Sequence, residues 1–163
     1  MTRFRGFRLA VIALLGIALS ASAALAQSFS YPVSGIITST FNDPRPSGKH
    51  KAIDIAGNNH KAIGAARAGT VVFAGWSTGG GGKMVIVKHD GGYRTWYAHM
   101  SALAVHVGQH VAANHVVGYV GSTGFATGPH LHFAILKNGV HLNFPPHHTG
   151  VWVSRGAHIP GVP

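Results

Sequence analysis

Cysteine is absent from the 163 residues, and so is glutamate. Without cysteine there is no disulfide framework, no thiolate metal site, no cysteine nucleophile and no lipid anchor on a cysteine. Without glutamate the His-Glu-x-x-His zinc peptidase scheme, which needs a glutamate base, is excluded. Acid–base chemistry is left to 13 histidines and three aspartates, Asp43, Asp54 and Asp90. Leucine is scarce, and no stretch sustains the helical period of three to four residues. The helical fold classes are therefore excluded.

The first 26 residues have the order of a secretory signal peptide. Arg3, Arg5 and Arg8 form a basic start, Leu9 to Leu19 an apolar run, and Ala24-Leu25-Ala26 a small-residue cleavage site. A transmembrane anchor needs about 20 apolar residues, and Ser20 and Ser22 interrupt this stretch. The expected organisation is a leader at 1–26, one domain at 27–143 and an irregular Pro-, His- and Gly-rich tail at 144–163, partly wrapped on the domain, with no membrane anchor after cleavage. The expected location is the periplasm or the medium. The chain holds 13 Lys and Arg, three of them in the leader, so ten remain against three acids. A net charge of about +7 attracts polyanions. For an exported protein these are cell-wall polymers and anionic membrane surfaces, though the charge equally serves solubility. No aromatic-and-basic nucleic-acid motif accompanies the charge, so no nucleic-acid partner is expected.

Short runs rich in Val, Ile, Phe, Tyr and Trp, several of them closed by glycine, fill the rest. They are Val33 to Thr38, Thr70 to Ala74, Met84 to Lys88, Tyr93 to Ala98, Val105 to Val107, Val116 to Val120 and Leu131 to Leu136. His89-Asp90-Gly91-Gly92 reads as a hairpin connection. The pattern predicts an all-β, single-domain antiparallel sandwich or barrel-like fold with an open groove. Trp76 and Trp96 are expected in the core, and His89 as a turn cap.

Most histidines need no special role, but two places differ. His50 and Asp54 are four apart, an even separation that shares a strand face. A flat strand would hold them roughly 13 Å apart, so they meet one ion only if the chain bends. Alone this pair reads as a solvated strand face. His130 and His132 flank Leu131, which turns into the core with Phe133 and leaves both imidazoles on one side, roughly 6–7 Å apart at their bases. Alone, a metal site and a polar strand face explain them equally well. Together, two histidines and one aspartate make three ligands for one zinc with a fourth position open, the arrangement of a catalytic site. Tyr97-Ala98-His99 supplies one more histidine at a strand end.

The stretches "HKAID", "YRTWYAHMS" and "GSTGFATGPHLHF", in this order, resemble the lysostaphin-type zinc endopeptidases of bacterial peptidoglycan, and "TSTF" and "AGTVVFAG" fit as well. The resemblance runs from Tyr31 to Asn143. It implies His50, Asp54 and His132 as ligands of one Zn2+ per chain, and His99 and His130 as metal-free catalytic histidines. It further implies a monomer acting on peptidoglycan through a metal-activated water, with which histidine is the base left open. The bond cut is left open too, between Gly–Gly and D-Ala–diaminopimelate. Ala52 and Asn114 stand where the family usually has glycine, and "GNNHKAIGA" replaces its Pro-x-Gly-Thr run. Two other functions remain: a non-catalytic wall-binding regulator of cell-wall hydrolases, and a periplasmic histidine-rich metal-binding protein.

Overall fold

Alternation of apolar and polar side chains sets the strands. In Gly35–Ser39 (β1), Ile37 is buried while Ile36 and Thr38 face out, the period of two that a half-buried strand requires. The computed structural model describes residues 28–46 and 48–162. The expected leader at 1–26 and the first mature residue, Gln27, lie outside the described residues. Strands follow at Pro44–Arg45 (β2), Gly48–Lys49 (β3), Ile53–Ala56 (β4), Ala62–Gly64 (β5), Gly69–Ser77 (β6), Gly82–Lys88 (β7) and Tyr93–Met100 (β8). The remainder are Ala102–Leu103 (β9), His110–Val111 (β10), Val116–Tyr119 (β11), His130–Lys137 (β12), Val140–His141 (β13) and Trp152–Val153 (β14). One 3-10 turn, Asp90–Gly92, joins β7 to β8 where the hairpin is expected.

The main sheet runs β10-β6-β7-β8-β12-β4-β1-β14, with β13 paired to β12. Smaller sheets are β5-β11-β9 and the hairpin β2-β3. Every pairing is antiparallel. The main sheet ends at β10 and β14, so the all-β fold is open and not a closed barrel. Its inner face carries the core: Ile37, Ile53, Ile55, Val85, Val87, Tyr97, Leu131, Phe133 and Ile135, all fully buried. Gly35 is required where β1 meets β4. A Cβ there would lie 1.9 Å from the Ala56 carbonyl oxygen, closer than any side chain tolerates.

Several local expectations change. Val105–Val107 is not a strand: the chain turns at Gly108 (φ 89°) and leaves Val107 exposed. Trp76 is not in the core but 60 % exposed, at the end of β6. Trp96 packs on the small cluster of Ala52, Ala134 and Leu136. The tail is not irregular throughout: β14 extends the sheet beside β1, while Phe144, Val153, Ile159 and Val162 join the main core. Asn114 takes the left-handed φ of 63°, which asparagine tolerates better than most residues.

His89 is not a cap. It is buried, with Nδ1 donating to the Ala68 carbonyl at 2.8 Å and Nε2 at 2.8 Å from the Thr95 hydroxyl. Thr95 and Tyr97 hydroxyls are also 2.8 Å apart, and Tyr97 accepts from the Ala66 N–H. Burial pushes the His89 pKa down to about 4, against the opposing pull of the Ala68 hydrogen bond. The unfolded chain therefore takes up this proton below about pH 6.5, the folded chain only below about 4. Stability from His89 is complete above the first value and falls as the pH drops towards the second, by about 3 kcal/mol in all. Urea unfolding of metal-stripped protein between pH 7 and 4.5 should show this loss, and His89→Gln should flatten the slope. Equal slopes for the two proteins would refute the assignment.

Candidate metal centre and groove

β12 is the backbone of the site. Its register pairs His130 with Ala56, and His132 with both Asp54 on β4 and Ala98 on β8. Leu131 and Phe133 are fully buried, so alternation turns both histidines to the opposite, open face. Asp54 and Ala56 share that face, because Ile53 and Ile55 fill the core.

His50 arrives by a bend, the condition under which it and Asp54 can share one ion. The chain turns at Lys51–Ala52 before β4 begins at Ile53. Backbone bonds from Asn42 N to His50 O and from His50 N to Asp43 O pin it to the loop after β1. As a result His50 Nε2 is 3.2 Å from Asp54 Oδ1. Asp43 builds that loop: its carboxylate accepts from the Ser39 hydroxyl and Thr40 N–H, both at 2.7 Å, and from the Thr40 hydroxyl at 3.0 Å. The Thr40 backbone bond, first among these, lowers the Asp43 pKa.

His99 reaches the same face by breaking alternation. Tyr97 is in the core, and a regular strand would send His99 after it. The β7–β8 register shifts between Lys83 and Val85, and His99 takes a left-handed φ of 63°. A bulge of this kind re-aims a side chain. His99 Nδ1 donates to the Thr123 carbonyl at 2.7 Å. Its ring centroid lies 4.8 Å from that of His130 and 5.7 Å from that of His132. Burial is the main cause that lowers its pKa, partly opposed by the Thr123 hydrogen bond.

All five expected site residues thus come together. His50 Nε2, His132 Nδ1 and Asp54 Oδ1 form a triangle with sides of 3.1, 3.1 and 3.2 Å. They make a group able to hold a metal ion. The donor set fits zinc: metal–nitrogen bonds of about 2.0–2.1 Å in a tetrahedron put ligand atoms about 3.3 Å apart. The His50 tautomer fits too. The Thr40 carbonyl accepts from His50 Nδ1 at 3.0 Å, so Nε2 carries the lone pair a metal requires. Burial alone would raise the Asp54 pKa, but hydrogen bonds to His132 and His50 prevail and hold it well below the usual range.

Arg45 carries no sequence signal, yet it completes the site. From the β2–β3 hairpin it donates to Asp54 Oδ2 at 2.7 Å and to Ser39 Oγ at 2.8 Å. Asp54 Oδ1 remains for the histidines. His130 Nδ1 donates to the Gly128 carbonyl at 2.9 Å, and its Nε2 lies 3.9 Å from Asp54 Oδ1. An open groove of about 370 Å³ runs past Arg45, Asp54, Thr127 and His130. The other histidines stay outside. Among them, His141 donates to the Lys51 carbonyl at 2.8 Å and stacks edge-on to Trp96.

Residues 48–144 match Peptidase family M23. Lysostaphin of Staphylococcus simulans is 41% identical over 92 residues, 56% of this chain and 19% of the relative. The murein hydrolase activator NlpD of Escherichia coli K12 is 36% identical over 117 residues, 72% of this chain and 30% of NlpD. The chain spans less than a third of either relative's length. A zinc-containing peptidase from Vibrio cholerae has the same fold, with a TM-score of 0.67 and 28% identity over 72% of this chain and 39% of that one.

Proposed function

Because the chain belongs to peptidase family M23, we propose that it is a zinc-dependent endopeptidase hydrolysing peptide bonds of bacterial peptidoglycan. The observation that carries this reading is the triangle of His50 Nε2, Asp54 Oδ1 and His132 Nδ1 with two further imidazoles beside it. Zinc held there would polarise the scissile carbonyl and lower the pKa of a water to about 7. The chain's own residues supply the rest. Arg45 fixes the Asp54 carboxylate so that one oxygen faces the two histidine ligands. His99 and His130 each spend Nδ1 on a backbone carbonyl, which leaves Nε2 as the reacting nitrogen. One accepts the proton of the attacking water and passes it to the leaving amine. The other, protonated, donates to the oxygen that gains charge.

One zinc per chain, a monomer and the domain limits 27–143 belong to the same proposal. So does export behind the leader at 1–26, since peptidoglycan lies outside the cytoplasmic membrane. The basic surface favours encounter with anionic wall polymers and acts on the on-rate. The similarity to NlpD, over 72% of the chain, favours a second reading as an activator of another wall hydrolase. Zymography on purified peptidoglycan decides between them. The wild type should clear the gel, chelation should abolish clearing, and zinc should restore it. Clearing that survives chelation rejects the zinc mechanism. Clearing only when a separate wall amidase is added selects the activator. Mass spectrometry of released fragments names the bond.

A further inference from the structure

The open face of the sheet continues past the metal centre to the C-terminal edge. His130 pairs with Ala56, the register of Ile37 with Ile55 sets Ile36 next to Ala56, and Ile36 pairs with Trp152. The row His130, Ala56, Ile36, Trp152 crosses three strand spacings, roughly 14 Å. A trench of about 490 Å³ lies along it, lined by Ile36, Asn58, Asn59, Lys61, Pro129 and Trp152. Ala56 and Pro129 also line the groove at His130, so the two are continuous.

Trp152 is 61 % exposed and Ile36 45 %. Single exposed apolar residues are ordinary; these two are adjacent and have a polar rim. Lys61 is fixed by donating to the Ser34 carbonyl at 2.7 Å, with Nζ 5.8 Å from the Trp152 ring centroid. The side-chain amides of Asn58 and Asn59 make no hydrogen bond with any described residue. No carboxylate lines the trench. An apolar ligand would leave the amides unpaired, and a polyanion would meet only one cation. A pyranose ring matches: its C–H face suits an indole, and its hydroxyl and amide substituents suit the asparagines. Trp152 also lies beyond residues 48–144, the part that matches the family.

We propose that this trench is a saccharide subsite, in which an N-acetylhexosamine ring of the glycan strand stacks on Trp152 while its peptide reaches the metal centre. The proposal rests on the peptidoglycan reading above. An extended peptide of four residues spans at most about 14 Å, the length of the row from Trp152 to His130.

The test uses the zinc-loaded full chain and two substrates: cross-linked muropeptides bearing their disaccharides, and the same cross-linked peptides freed of sugar. The wild type should show a KM about tenfold lower on the sugar-bearing form, an increment typical of one well-stacked aromatic contact. In Trp152→Ala this ratio should collapse towards one, and Trp152→Tyr should recover most of it. A wild-type ratio near one, or a ratio that survives Trp152→Ala, overturns the subsite. If Trp152→Ala fails to fold, Asn58→Ala with Asn59→Ala, on an exposed loop, should reduce the ratio in the same direction. If the wild type cuts neither substrate, the hydrolase reading fails, and calorimetry with an N-acetylglucosamine tetramer still decides the subsite. Binding lost in Trp152→Ala supports it; no binding by the wild type, or equal binding by both, rejects it.

Discussion

Replacing His132 with alanine is expected to remove zinc binding and peptidoglycan hydrolysis together. His132 Nδ1 is 3.1 Å from both His50 Nε2 and Asp54 Oδ1, so its loss opens two of the three sides of the ligand triangle. Outer partners of a metal ligand cost about 10–100-fold in affinity when removed, and a ligand itself should cost more than about a hundredfold. The metal-free fold should survive, because Arg45 still holds Asp54 and the core behind β12 is untouched. Zinc should stabilise the wild type by mass action, about 4 kcal/mol at a thousand times the dissociation constant. The variant should gain almost nothing. Melting with and without zinc, plus competition against a chromophoric chelator, measures both effects. A variant that binds zinc as tightly as the wild type would show that the ion sits elsewhere.

The parts of this site differ in how well they can be read from the residues. β12 was open to reading because His130, Leu131, His132 and Phe133 alternate between groove and core, and alternation is a local property. The rise per residue of a strand sets a condition at His50 and Asp54: only a bend brings them to one ion. Alternation fails for His99. Tyr97 and His99 are two apart, so alternation buries both, and only the register shift against β7 turns the imidazole outward. A bulge depends on the neighbouring strand and leaves little trace in four residues of sequence. Arg45 is hidden for a similar reason. Its partner Asp54 is nine residues away, across a hairpin of two-residue strands with no period to detect. The C-terminal segment looks irregular by composition, yet Trp152–Val153 becomes an edge strand because β1 offers it unpaired backbone groups. His89 looked like a turn residue. Its partners Ala68 and Thr95 come from the loop before β6 and from β8, which local chemistry cannot foresee.

Substitutions of His99 and His130 should separate catalysis from metal binding. Neither lies in the ligand triangle, so each variant should keep its zinc while losing about 10²–10⁴-fold in kcat, the range of a positioned acid or base. Asparagine is the better replacement at position 99. The backbone there is left-handed at φ 63°, where alanine is strained and asparagine is tolerated. At position 130 the backbone continues an ordinary strand, so alanine serves. The rings sit 4.8 Å apart and serve one step of the proposed reaction, one at the attacking water and the other at the carbonyl oxygen. The double variant should therefore be little worse than either single one, because groups that act as a unit lose their effect together. Steady-state kinetics with zinc content measured on the same samples would show it. If zinc leaves with either histidine, that residue is a ligand and the division of labour is wrong. If kcat falls by less than about tenfold in both, proton transfer must come from a group outside the histidines named here.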